Sequence, residues 1–168
     1  MNQETNTNAL NEFDKSQLPS SINVLTILTI IGSSLGILSS AWNYISAKKS
    51  YEDLKEVMNN GKLDEAPKFV RGMMTPQMLE MSRKAYENRL PMLILGLVAM
   101  SLCLYGAIEM RKLKKQGYTF WLIGEVLPVF STIFFIGTAA FGGFGLIMWM
   151  FPIIFIILYT VNRKHLIY

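Results

Sequence analysis

Apolar residues are concentrated in four long segments of the chain, and most polar residues lie in the stretches between them. The apolar segments cover about residues 22–47, 90–110, 118–140 and 144–161. A helix that crosses the hydrocarbon core of a bilayer needs about 20 mostly apolar residues, and each segment is near that length or longer. The pattern predicts an all-α polytopic membrane protein with four transmembrane helices.

The third and fourth segments adjoin with little polar sequence between them. From Gly117 to Asn162 the only charged residue is Glu125, and this run is long enough for two crossings. We place the break at "FGGFG", residues 141–145, because its three glycines permit the positive φ values of a tight turn. Pro128 and Pro152 fall inside the spans, where kinks are tolerated.

A polar segment, residues 48–89, separates the first two spans and has helical signals of its own. Lys48–Asn60 reads as a helix that stops at Gly61. Thr75 followed by Pro76 is a strong start for a second helix. One face of that helix contains Leu79, Tyr86 and Leu90. We therefore expect an amphipathic extramembrane segment on the membrane surface or against the bundle.

The N-terminal residues 1–20 are rich in Asn, Gln and Ser, and we expect them to be flexible. They do not form the short basic region of a signal peptide, and the apolar run that follows is longer than the ~7–15 residues of a signal-peptide core. The first span is therefore predicted to be a retained helix. Residues 21–168 are predicted to form a single four-helix membrane domain.

Composition agrees with a membrane protein: 51% of the residues are hydrophobic and 17% are charged, against about 25% charged in an average soluble domain. The sequence pI is near 9.2. However, the cations lie at the ends of the apolar segments and not on one face among aromatic residues, which argues against nucleic-acid binding. The single cysteine, Cys103, excludes a disulfide within the chain.

The basic loop between the second and third spans predicts the orientation. Four of the five residues 111–115 are basic, namely Arg111, Lys112, Lys114 and Lys115. Dense positive charge in a short loop indicates the cytoplasmic side, although the longer loop 48–89 contains more cations in total. We expect both termini in the cytoplasm, and Trp121 beside this loop at the membrane interface. Trp42 and Tyr44 would mark the opposite interface.

Small residues form two stripes at helical spacing. In the first span the stripe includes Gly32, Gly36 and Ser40, and in the second it includes Gly96, Ala99 and Cys103. Small residues allow transmembrane helices to approach closely, so the two stripes are predicted to pack on each other. The alternative is that the GxxxG spacing of Gly32 and Gly36 arises by chance.

Glu125 is the main candidate for chemistry. It lies seven residues beyond Tyr118, roughly 10 Å along a helix, and an ionisable residue inside a span suggests a proton or ion site. The alternative is a structural carboxyl that is neutral, hydrogen-bonded to a neighbouring hydroxyl, or paired with a lysine near the interface.

Other candidate chemistry is weaker. Four methionines occur within nine residues, Met73, Met74, Met78 and Met81. Thioethers bind Cu(I), but methionine is also common on partner-binding and membrane-surface helices. The lone His165 reads as a solvated chain end. The basic loop suits anionic lipid head groups as an ordinary anchor. The sequence has no HExxH, phosphate loop, CxxC or nucleophile–base pair, so we expect a non-enzymatic protein without a cofactor.

The block "NRLPMLILGLVAMSLCLYGAIEMRKLKKQGYTFWLIGEVLP", residues 88–128, and the terminal "ILYTVNRKHL" resemble a group of small, uncharacterised four-helix bacterial membrane proteins. The resemblance implies an inner-membrane location and supplies no activity. Taken with the small-residue stripes, the sequence favours an accessory or scaffolding subunit of a membrane complex, which would bind other membrane subunits or copies of itself. The alternative is a small oligomeric transporter or channel that uses Glu125.

Overall fold

The computed structural model describes residues 18–60, 72, 74–142 and 144–167. The regular elements of these residues are all helical. They are α1 (Ser20–Asn59), α2 (Pro76–Glu87), α3 (Arg89–Arg111), α4 (Lys115–Phe135) and α5 (Phe144–Asn162), with short 3-10 helices at Thr138–Phe141 and Arg163–His165. The all-α prediction is confirmed for this part of the chain. Most of the N-terminal segment that was predicted to be flexible lies outside it.

Three of these helices, α1, α3 and α4, are long and apolar enough to cross a membrane. Large apolar side chains on their outer faces are exposed, among them Leu38, Ile94 and Phe130. In water such a surface would be costly, whereas hydrocarbon accepts it without penalty. The described helices are therefore compatible with a membrane protein.

Helix α1 is one continuous helix of 40 residues, where the sequence suggested two. At 1.5 Å per residue it is roughly 60 Å long, about twice the hydrocarbon core of a bilayer. Continuity follows from composition, because no glycine or proline occurs between Ile37 and Asn60. The polar end packs on α2 through the rings of Tyr51 and Tyr86, whose centroids are 5.9 Å apart.

Helix α2 begins at the predicted position. Thr75 is its N-cap, the Thr75 hydroxyl accepts a hydrogen bond from the Met78 amide at 3.2 Å, and Pro76 occupies the first turn. A single residue, Asn88, separates α2 from α3. The Asn88 side chain donates to the Lys84 carbonyl at 2.9 Å and closes the last turn of α2. Leu90 consequently belongs to α3.

Helices α3 and α4 form the closest helix pair, and glycine makes this approach possible. A Cβ added at Gly106 would lie 2.5 Å from the Trp121 backbone nitrogen and 2.6 Å from the Gly117 carbonyl oxygen. A Cβ at Gly124 would lie 2.6 Å from the Ala99 carbonyl oxygen. These neighbours are backbone atoms, which cannot rotate away as a side chain can. The two helices therefore touch backbone to backbone along several turns.

Helix α4 ends earlier than the sequence predicted, at Phe135 and not near residue 140. The amides of Ile136 and Gly137 both donate to the Thr132 carbonyl at 3.0 Å, which closes the last turn. Gly137 then has φ +104°, a conformation that side chains disfavour. The break between α4 and α5 thus begins at Gly137, ahead of the predicted "FGGFG" turn, and contains the 3-10 helix Thr138–Phe141.

The C-terminal end of α5 lies beside the basic loop and the start of α1. The Ile167 amide donates to the Leu113 carbonyl at 2.9 Å, and Ser21 donates to Asn162 at 2.7 Å. The hydroxyls of Tyr118 and Thr160 are 2.9 Å apart. The chain end therefore returns to the end of the bundle that holds the loop between α3 and α4.

Candidate functional site

The candidate site is a recess of about 220 Å³ on the side of the bundle, with Glu125 in its wall. All four apolar helices contribute to it. Helix α1 supplies Thr29, Gly32 and Ser33, α3 supplies Cys103, α4 supplies Trp121 and Glu125, and α5 supplies Phe151 and Phe155. The Glu125 carboxyl, which the sequence singled out, thus lies where these four helices meet.

The Glu125 carboxyl has one close polar neighbour, the Cys103 thiol. Its sulfur donates to Glu125 Oε2 at 3.7 Å and to the Trp121 carbonyl at the same distance. Among the described residues no Lys, Arg or His lies within 4 Å of this carboxyl. An unpaired carboxylate in an apolar setting is costly. Glu125 is therefore suited to hold a proton, a cation or a hydrogen-bond donor.

Two hydroxyl residues of α1, Thr29 and Ser33, line the recess with Glu125, and Tyr159 lies next to Thr29. Thr29 Oγ1 and the Tyr159 hydroxyl are 2.7 Å apart, and the Tyr159 ring packs on Trp121 with centroids 4.2 Å apart. Ser33 is buried and its hydroxyl has no hydrogen-bond partner among the described residues. The recess offers one carboxyl and two neutral hydroxyls, a set that suits binding better than bond-breaking chemistry.

The small residues of α1 do not act as one face. A Cβ at Gly36 would lie 2.5 Å from Met100 Sδ on α3, and Ser40 Oγ would lie 2.9 Å from a Cβ at Gly96. Gly36, Ser40 and Gly96 therefore lie where α1 and α3 approach. Gly32 is exposed, and a Cβ there would meet no atom of the described residues within 4 Å, so it is not part of this close approach.

The stripe on α3 is divided between two partners. Gly96 faces α1, as the sequence suggested, whereas Ala99 and Cys103 face Gly124 on α4. Ala99 and Cys103 are both buried. The difference arises because the chain reverses directly after α3, so that α4 returns along α3 and covers this stripe. The sequence analysis did not single out the glycines of the α3–α4 contact, which are Gly106, Gly117 and Gly124. Their spacing of seven or eleven residues was the available signal for this contact.

Two of the four loop cations form ion pairs within the chain. Lys112 Nζ lies 2.7 Å from Glu109 Oε1, and Lys114 Nζ lies 2.6 Å from Glu109 Oε2. The hydrogen bond to the Glu109 carboxylate raises the pKa of Lys114 above its usual value. Arg111 and Lys115 are exposed. Only these last two are wholly available to lipid head groups.

The same loop contains an anchor that sequence reasoning missed. Leu113, between the cations, is 4% exposed and has φ +58°, which is uncommon for a residue other than glycine. Its carbonyl accepts the hydrogen bond from Ile167. A single leucine within a basic run was the available signal for this buried turn.

Trp121, which the sequence places beside the basic loop at the membrane interface, has its side chain inside the bundle. Its side chain is 1% exposed and lies against Tyr159 and Tyr118. The physical reason is its position on the helix, since the backbone of Trp121 faces Gly106 on α3. Trp42, by contrast, is 69% exposed.

The methionine-rich segment begins outside the described residues, since Met73 is not among them. Met78 and Met81 lie in the first turns of α2, and Met78 is exposed. Among the described residues no group of three His, Cys, Asp or Glu side chains could hold a metal ion.

Comparison with protein-family models, with curated proteins and with solved structures gave no match to this chain. The class of the protein is therefore defined by its own fold and site. It is a helical protein with three helices able to cross a membrane and a carboxyl in a recess between the helices.

Proposed function

We propose that the chain is an integral membrane protein with four crossings, of which α5 is the fourth. Helix α5, Phe144–Asn162, has no charged residue among its 19 residues. Its end lies beside the basic loop, as the contact of Ile167 with Leu113 requires. This return supports an even number of crossings, with both termini on the side of the loop. The dense loop charge favours the cytoplasmic face of an inner membrane.

Thiol labelling in intact cells tests these crossings. We expect cysteines introduced by Gln116→Cys and Lys164→Cys to react from the cytoplasmic side, and one introduced by Asn60→Cys to react from outside. The native Cys103 is 2% exposed and gives a low background. If position 164 reacts together with position 60, α5 does not cross and the four-helix proposal fails.

Within the membrane, the chain acts as a non-enzymatic subunit of a larger complex, with the Glu125 recess as a docking point for another subunit. One observation carries this proposal. No described residue places a cation at Glu125, and the space beside Gly32 is open. The rim of the recess includes Leu28 and Phe151, which are 49% and 61% exposed. A helix of another subunit lying against Gly32 would bring a basic or hydroxyl side chain to Glu125, where apolar surroundings strengthen the contact.

The replacement Glu125→Gln tests the docking point. It keeps the side-chain shape and removes the charge, so we expect recovery of co-purifying membrane subunits in mild detergent to fall by about threefold to tenfold. The matched control is Glu52→Gln, which removes an exposed carboxylate that is paired with Lys48. A photoreactive residue at position 28 identifies which protein lies on the rim. Recovery of the chain alone by mass spectrometry, before any mutation, contradicts the subunit proposal.

The second candidate function is proton or cation transport through Glu125. The hydroxyls of Thr29 and Ser33 favour it, because both residues line the recess and give a bound ion or proton additional ligands beside the carboxyl. Under this alternative, the native chain in proteoliposomes carries a flux that Glu125→Gln abolishes and Glu52→Gln does not. The absence of flux from the native chain removes the alternative.

A further inference from the structure

A second cavity, larger than the Glu125 recess, lies farther along the bundle, toward α2, and Met100 borders both. Its volume is about 430 Å³, within the range of small-molecule sites. Helices α1, α2, α3 and α4 all line it. We call it the Arg89 cleft, after the one charged residue in its wall.

The Arg89 guanidinium is held in place by two aromatic rings. Its central carbon lies 5.3 Å from the centroid of Tyr44 and 4.9 Å from that of Tyr86. No carboxylate among the described residues forms an ion pair with it. Arg89 is therefore an oriented cation whose charge has no anionic partner within the described chain.

Polar side chains surround Arg89 at the mouth of the cleft. Asn43 and Ser50 come from α1, and Ser82 comes from α2. Their side chains form no hydrogen bond with a described residue. These groups supply donors beside a cation, which is the chemistry that binds the oxygens of a phosphate group. Arginine is especially suited to this task because its planar fork matches two phosphate oxygens.

The interior of the cleft is different, because apolar and small residues line most of it, together with the hydroxyl residues Ser40, Ser131 and Thr132. Leu93, Gly96 and Met100 follow Arg89 along α3, and Pro128 faces them from α4. From Arg89 to Met100 the helix rises roughly 16 Å. That is close to the depth of one leaflet, since the whole hydrocarbon core is about 30 Å thick. The cleft thus has a polar, positively charged mouth and a mostly apolar interior of leaflet depth.

We infer that the Arg89 cleft binds one anionic phospholipid, with the phosphate at Arg89 and an acyl chain between α1, α3 and α4. The cleft favours this occupant over a helix of another protein, because its mouth is positively charged and the interior below the mouth is mostly apolar. A helix would need a carboxylate placed at Arg89 to compensate this charge, whereas a phospholipid carries the phosphate and the acyl chain in one molecule. The inference assumes the membrane location, but it is independent of the subunit role and of Glu125.

The test compares lipid retention by the purified full chain and by variants, using native mass spectrometry after reconstitution in equal amounts of phosphatidylglycerol and phosphatidylcholine. We expect the chain to retain one phosphatidylglycerol, and Arg89→Gln to weaken this retention by about tenfold, the loss typical of one charge-assisted contact. The matched control, Arg83→Gln, removes an exposed cation that is paired with Glu87 and lies outside the cleft. It should retain the lipid as the native chain does.

Two further measurements keep the inference falsifiable if Arg89→Gln folds poorly. Arg89→Lys keeps the charge and loses the planar fork, so we expect partial retention of phosphatidylglycerol. Phosphatidylglycerol should raise the melting temperature of the native chain and of Arg83→Gln, and glycerol 3-phosphate should not. Three results would overturn the inference: equal retention of both lipids, an equal loss of lipid retention in Arg83→Gln, or full thermal protection by glycerol 3-phosphate. Recovery of a protein segment crosslinked inside the cleft would also overturn it.

Discussion

Replacing Gly106 with alanine will destabilise the α3–α4 pair and lower the folded fraction of the protein. A Cβ at this position would lie 2.5 Å from the Trp121 nitrogen and 2.7 Å from the Trp121 Cβ, so the two helices must move apart. Forcing atoms into a well-packed interior costs about 1–3 kcal/mol, and separation along the helices adds the loss of contacts at Gly117 and Gly124. Gly106→Leu should cost more. The measurement is unfolding of the purified chain in mixed micelles by a denaturing detergent.

Gly32→Ala is the matched control for this experiment. It adds the same methyl group to an apolar helix, but no atom lies within 4 Å of the new Cβ. Stability should be unchanged or slightly higher, because alanine is favoured over glycine in a helix by about 1 kcal/mol. Equal losses in the two variants would show that the cost does not arise from contact between α3 and α4, and the close packing of these helices would then be wrong.

The contrast between Gly106 and Gly32 also indicates what sequence could predict. Apolar segment lengths predicted the helices, and the Thr75–Pro76 pair predicted the start of α2. Small residues predicted that helices approach closely, but both α1 and α4 offer small residues to α3. The stripe on α3 therefore could not by itself specify its partner. That choice depends on the three-dimensional path of the chain after the turn at Leu113.

Helix ends were less predictable for a similar reason. Three glycines at residues 141–145 gave the stronger local signal for a turn, whereas Gly137 stood alone after an apolar run. The turn formed at Gly137 because the Ile136 and Gly137 amides close on Thr132 and the chain then adopts positive φ. Several positions can permit a break, and packing of the flanking helices selects among them.

The candidate site, too, could be predicted from sequence only in part. Its central residue, Glu125, could be found from sequence as the only charge between Gly117 and Asn162. Its neighbours could not, because Thr29, Ser33 and Tyr159 are more than 30 residues away or on other helices. Trp121, however, lies four residues before Glu125 and hence on the same helix face. If Glu125 faces the bundle, Trp121 must face it too, so the burial of the Trp121 side chain could be predicted from sequence.

Replacing Trp121 with alanine is expected to cause the largest loss of stability of any single side-chain truncation in the described core. Trp121 is the largest fully buried side chain, and its ring packs on Tyr159 and Tyr118. Truncating a buried tryptophan costs about 3–5 kcal/mol in soluble proteins. In a bilayer the apolar transfer term is smaller, but the lost packing contacts persist, because packing is a main source of helix association there. Trp121→Phe should lose less, since it keeps a ring against Tyr159.

Trp42→Ala provides the matched comparison, because Trp42 is 69% exposed on α1. Its removal deletes the same side chain from an outer surface and should change unfolding in mixed micelles little. The Trp121→Ala cavity would also border Glu125, since both residues line the recess, so loss of subunit contacts should accompany the loss of stability. In Trp42→Ala, neither the stability nor the subunit contacts should change. If the two alanine variants unfold alike, the Trp121 side chain is not packed inside the bundle, and the buried wall beside Glu125 is absent.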